Sequence, residues 1–155
     1  MIINPTYTSR QFWSTALLSG VLLSVVLSII YIIFYERLYV ESSFLFSILY
    51  FIPFVWLSSN AAFFKWKFVY SEFSYGHAFL LNLVCGLVSA TLFSGVIYVA
   101  YGCLGLESRM KIYDNVENFK ELFSPLATSI SFFVINVFLT LLYSLIIAIF
   151  ARKKN

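Results

Sequence analysis

Charged residues divide the chain into four long uncharged stretches, 11–35, 42–64, 78–106 and 122–151. Each exceeds the ~20 apolar residues that a helix needs to cross a hydrocarbon core of about 30 Å. None shows the in–out alternation of a barrel strand, and all are too long for one. In lipid every backbone N–H and C=O must find a partner inside the protein, so such runs have to be helical. The pattern predicts an all-α polytopic membrane protein. Four transmembrane helices, at about 12–35, 44–64, 77–104 and 125–150, form a bundle that makes residues 1–155 a single domain.

The polar stretches between them predict the connections. "ERLYVES" is a brief link on the outer side, and "KWKFVYSEF" is an amphipathic loop with its rings at headgroup level. Ser74 is placed to cap helix three, because its hydroxyl can accept one of the orphan amide hydrogens there. Ser124-Pro125 opens helix four with a cap and a proline at the first helical position. The outer 3–4 loop carries "DNVENFKELF", read as a short amphipathic helix: Asp114 and Glu117 have capping-box spacing, and Val116, Phe119 and Phe123 share a face. Pro53 interrupts helix two and predicts a kink packed by neighbouring helices. The first stretch is retained rather than cleaved in this reading. It runs beyond the ~7–15 apolar residues of a signal peptide and has no small-x-small site before "YERLYVES".

Composition strengthens the membrane assignment. Of 155 residues, 61% are hydrophobic and 11% charged, where a water-soluble domain of this size needs roughly a quarter charged. The lipid bilayer is therefore the principal partner. The net charge of +3 comes from scattered basic residues flanking apolar runs, which is no nucleic-acid footprint. With four spans, both tails and the middle loop share a side and carry Arg10, Lys65, Lys67, Arg152, Lys153 and Lys154. The opposite side has Arg37, Arg109, Lys111 and Lys120. That bias places both termini in the cytoplasm. Trp13, Tyr35, Trp66, Tyr98 and Tyr101 fall at the ends of the runs, where interfacial aromatic belts sit.

Candidate chemistry changes this picture little. His77 is the chain's one histidine and lies where helix three enters the membrane. A metal site takes three or four ligands, so His77 is read as interfacial, and no metal or cofactor is expected. Cys85 and Cys103 lie eighteen residues apart on one helix, about 27 Å at 1.5 Å per residue, too far for a disulfide. No Asp, Glu, Lys or Arg lies deep in a span, which argues against a carboxylate-driven pump. Hydrolase motifs are missing, so a catalytic role is not expected.

Small residues at four-residue spacing are the strongest remaining signal. Helix one has Ala16, Gly20, Ser24 and Ser28; helix three has Ala78, Asn82, Gly86, Ala90 and Ser94; helix four has Asn136, Thr140, Ser144 and Ala148. Residues at i and i+4 share a helix face, and small ones let helices approach closely in lipid. Gly20, Ser24, Gly86, Ala90, Ser94, Thr140 and Ser144 are thus the predicted packing residues, with Gly86 at a close contact to helix one or helix four. Asn60, Asn82 and Ser144 lie at similar depth and are read as a buried polar cluster acting as structural glue. The spacing leaves open whether these faces close within one chain, in a homo-oligomer, or against another membrane protein.

The motif "SYGHAF" at Ser74 to Phe79, the aromatic exit "VIYVAY", and the basic ending "SLIIAIFARKKN" resemble a known family. It is the Bacteroidetes four-helix membrane family known as domain of unknown function forty-one ninety-nine. That family often has a proline–acid pair after helix three, where this chain has "GLESRMKIYD". The resemblance implies a bacterial inner membrane and brings no ligand or catalytic residue with it. The function expected from these features is a non-enzymatic accessory or scaffold subunit. The alternative is a small oligomeric transporter or lipid-linked-sugar flippase.

Overall fold

Residues 7–40, 43–69, 73–103 and 124–152 are described by the computed structural model, with side chains at 35–40 and 43–46 excepted. They form four helices: α1 (Ser9–Val40), α2 (Ser43–Phe68), α3 (Tyr75–Cys103) and α4 (Pro125–Ala151). All four are long and apolar enough to cross a membrane, and only about a third of each span is buried within the bundle. The remainder is a coat of Leu, Ile, Val and Phe turned outward, as lipid contact requires.

Local chemistry sets the helix starts. Before α1, the Thr8 N–H donates to Gln11 Oε1 at 2.8 Å and the Gln11 N–H donates to Thr8 Oγ1 at 3.2 Å. This reciprocal capping box satisfies two orphan donors at once. Ser74 caps α3 by accepting the His77 N–H at 3.2 Å. Ser124 caps α4 by accepting the Ala127 N–H at 3.2 Å, with Pro125 following it.

Several expectations about the connections need correction. The link "ERLYVES" is mostly helix, since α1 continues to Val40. Likewise "KWK" belongs to α2, which runs to Phe68 with Lys65 and Lys67 in its last turn. Neither stretch contains a glycine or proline to stop the helix, and cations are favourable beside C-terminal carbonyls. The rings of "KWKFVYSEF" do not all rest at headgroup level: Phe73 is fully buried, as is neighbouring Val69. Tyr101, expected in the aromatic belt, is only 1% exposed, whereas Trp13, Trp66 and Tyr98 are exposed. The amphipathic helix expected at 114–123, and Tyr35 of the belt, lie outside what is described.

The contacts define an up–down ring. Ser19 and Phe12 of α1 meet Trp56 and Phe64 of α2, so numbers rise in one helix as they fall in the other. Gly20 meets Cys85 and Val88, while Tyr31 meets Phe93, so α1 and α3 run parallel. Gly86 meets Thr140 and Ser94 meets Ser129, making α3 and α4 antiparallel. The most extensive contacts are α3 with α4 and α1 with α3; α2 closes the ring more lightly against α1 and α4.

Two apolar clusters fill the interior. At the end carrying Lys65 and Arg152, Tyr7 packs edge-on against Phe64 at 5.0 Å and Phe73 at 6.2 Å, sealing a core that includes Leu57, Ala61, Leu81 and Ile147. At the other end Tyr31, Phe93 and Phe132 form a triangle with centroids 5.4–6.0 Å apart, surrounded by Leu23, Leu27, Leu49 and Ile97. Pro53 sits buried in α2 and leaves a carbonyl of the preceding turn without its amide donor. Close to that break, the Tyr143 hydroxyl of α4 donates to the Tyr50 carbonyl at 3.1 Å. Tyr143→Phe is therefore expected to loosen α2 from α4 by about 0.6 kcal/mol, the average for interhelical hydrogen bonds in membranes. Denaturation of Tyr143→Phe beside the wild-type chain in mixed micelles measures it, since the substitution keeps the ring that lies 5.2 Å from Phe54.

Candidate functional site

Helix α3 is the hub of the molecule, and its seams with α4 and α1 gather the small residues singled out above. A Cβ placed on Gly86 would collide with Thr140, whose Cγ2 and Oγ1 are closest and whose own Cβ would stand at 2.9 Å. Glycine is thus what allows α4 to approach here. A Cβ on Gly20 would lie 2.6 Å from the Cys85 carbonyl oxygen and 2.9 Å from Val88 Cβ. That obstacle includes backbone, which cannot rotate away. By contrast, a Cβ on Gly76, Gly95 or Gly102 would meet nothing within 4 Å.

Counting outward from Gly86 and Thr140 along antiparallel helices brings Ala90 level with Asn136, Asn82 with Ser144, and Ala78 with Ala148. All six are buried, Ala78, Asn82, Ser144 and Ala148 completely. The two four-residue stripes therefore face each other. Ser94 is half-buried at the far end of the seam, where its carbonyl accepts the Ser129 hydroxyl at 2.8 Å. On α1, Ser24 donates to the Val21 carbonyl and Ser28 to the Ser24 carbonyl, both at 2.7 Å. Asn136 likewise donates to the Phe132 carbonyl at 2.8 Å. These polar groups return to their own helix backbones, the cheapest partners available in hydrocarbon.

Asn60, Asn82 and Ser144 are all buried, but they do not bond to one another. Asn60 Nδ2, both polar atoms of the Asn82 side chain and Ser144 Oγ have no hydrogen-bond partner. Asn60 belongs to α2, which lies across the ring from α3 and touches it least. Asn82 and Ser144 share a level without making the bond expected of glue. Ser89 Oγ is in the same condition and was not singled out, since a lone serine between Val88 and Ala90 carries no distinguishing pattern. Two further links were also invisible in sequence: the Trp56 Nε1–H donates to Ser19 Oγ at 2.9 Å, and Tyr143 reaches the Tyr50 carbonyl.

At the entry to α3, Ser74 Oγ lies 2.9 Å from His77 Nδ1 in addition to accepting the His77 amide hydrogen. The pairing follows from the i, i+3 spacing of a cap, and the imidazole packs edge-on against Tyr7 at 5.8 Å and Phe12 at 6.3 Å. The Ser74 hydroxyl that accepts the His77 amide hydrogen makes the pair a helix cap. Tyr7 itself presents a buried hydroxyl without a partner, and burial pushes its phenol above the ordinary tyrosine range. Cys85 is a buried free thiol and Cys103 an exposed one. No known protein family, curated protein or solved structure matches the chain.

Proposed function

We propose that this protein is a non-enzymatic accessory or scaffold subunit of a bacterial inner membrane, with both termini in the cytoplasm. The observation that carries this reading is the closed α3 seam. Glycine is set against threonine and against backbone, Ser24, Ser28 and Asn136 bond to their own helices, and a coat of apolar residues faces outward. A transporter needs a polar path that opens across the bilayer. Among the described residues, one cleft on α2 and one between α2 and α4 are instead lined mainly by apolar side chains. The bacterial setting rests on the sequence resemblance alone, read chiefly from Ser74 to Phe79.

The test is purification of the tagged chain from its native membrane, paired with deletion of its gene. A scaffold copurifies with a membrane protein whose amount falls on deletion and recovers with the wild-type gene. Solute or lipid movement by the purified chain alone in liposomes overturns the reading in favour of an oligomeric transporter or flippase. Orientation has a separate check. Lys65, Lys67 and Arg152 lie at one end of the helices, so a C-terminal green fluorescent protein fusion should fluoresce and a C-terminal alkaline phosphatase fusion should be inactive. Active phosphatase reverses the orientation.

A further inference from the structure

We propose that the cleft between α2 and α4 at the basic end of the bundle binds one phospholipid with an anionic headgroup. An acyl chain lies against Phe54, Ala62, Ile146 and Phe150, and the phosphate meets Lys65. This inference depends neither on the scaffold reading nor on which leaflet the basic end faces.

The cleft has a volume of about 240 Å³ and is apolar apart from Ser58 and Lys65, with Ala151 at the same end as Lys65. It exists because α2 leans only lightly on α4 and because alanines (Ala61, Ala62 and Ala151) line it where larger side chains would fill it. Its chemistry is graded in one direction. Rings and aliphatic chains occupy the depth of the membrane, and a cation stands at the rim. Lys65 is half-buried, so its methylene stem covers apolar surface while the ammonium reaches the interface. Arg152 follows Ala151 directly and caps α4 at the same rim.

By the sequence, this side of the membrane carries Arg10, Lys65, Lys67, Arg152, Lys153 and Lys154, a clear excess of basic side chains. In the sequence, Glu72 is the one acid assigned to this side of the membrane, and it lies outside the described residues. The exposed C-terminal carbonyls of α2 and α4 offset part of the positive charge, but a net excess remains. Lys67 is engaged elsewhere, its ammonium 5.2 Å from the ring centres of both Phe63 and Phe68. A purely apolar helix in the groove would leave the rim cations unneutralised, whereas an anionic lipid satisfies both the groove and the charge. Basic pockets between transmembrane helices recognise lipid headgroups by this combination.

The experiment uses the full chain in a neutral detergent, titrated with phosphatidylglycerol or with phosphatidylcholine of identical acyl chains, and native mass spectrometry counts retained lipid. Each cation near a membrane surface is worth about a fivefold change in affinity. One phosphatidylglycerol should bind per chain, preferred over phosphatidylcholine by about 25-fold for two cations. Lys65→Gln should cut that preference about fivefold, Lys65→Arg should keep it, and Lys67→Gln should leave it unchanged. Ala62→Phe, which fills the groove, should lower retention of both lipids. Circular dichroism and a single size-exclusion peak establish that each variant is folded, and a variant failing either is replaced by Ala62→Leu or Lys65→Met. Equal binding of the two lipids, equal losses in the Lys65 and Lys67 variants, or a dimer that dissociates on filling the groove would overturn the proposal.

Discussion

Gly86→Leu should leave little folded bundle, and no other single change in α3 should do more damage. The first added carbon already collides with Thr140, and three more follow it into a seam where neither helix has space. Overpacking of a tight core typically costs about 1–3 kcal/mol, a large part of a marginal stability. No hydrophobic force presses the separated helices back together in lipid. Gly86→Ala should lose less, and Thr140→Gly should rescue it by removing the side chain that the new Cβ meets. Gly20→Ala should be at least as harmful as Gly86→Ala, because it strikes the Cys85 carbonyl. Gly95→Ala should be neutral or stabilising, since its Cβ enters open space and alanine favours the helix. Micellar denaturation followed by circular dichroism ranks all five. If Gly86→Leu proved as stable as Gly95→Ala, the seam would not hold the bundle together.

Four helices could be read from the sequence because charge is so costly in hydrocarbon that its absence marks the spans. Their ends were harder, since hydropathy locates the membrane and not the helix. Glu36 and Lys65 end the uncharged runs, yet the helices continue to Val40 and Phe68. The Thr8–Gln11 capping box went unread, although T-x-x-Q before an apolar run is its signature. Buried and interfacial aromatics were not separable, because Tyr101 and Tyr98 look alike in sequence while one lies in the core and the other outside it.

The same division applies to the candidate site. Four-residue spacing picked out Ala78, Asn82, Gly86 and Ala90, and all are buried. It did not say that Gly86 meets α4 while Gly20 meets α3, because the partner of a face depends on how four helices close into a ring. Links to carbonyls, such as Tyr143 to Tyr50 and Ser129 to Ser94, leave no trace in residue identity at the accepting position. Asn82 and Ser144 lie level in the seam without bonding to each other, for a related reason. Spacing puts two polar groups at one depth but does not fix how their short side chains turn.

Asn82→Leu and Asn82→Asp should move stability in opposite directions, and the contrast separates a sealed seam from a conducting one. Asn82 is fully buried, and neither its amide nitrogen nor its oxygen has a partner. Leucine has similar bulk and removes an unbonded amide, whose burial costs about 1–3 kcal/mol in a protein interior. Only part of that is recovered, because in the separated helix Asn82 also faces hydrocarbon. Asn82→Leu should therefore be neutral or more stable by up to about 1 kcal/mol. Aspartate brings a charge worth about 2.5–3.5 kcal/mol against insertion at the centre of a helix, and no described cation lies within the bundle to offset it. Asn82→Asp should accordingly lose folded protein at neutral pH and regain part of it in acid. Protonation in acid removes the charge and with it the penalty. Folded fraction against pH in micelles gives both signs. If Asn82 faced a water-filled path, aspartate would be tolerated and leucine would abolish the physiological activity at normal protein levels. That pair of results would overturn the scaffold reading and place the protein's function inside the α3–α4 seam.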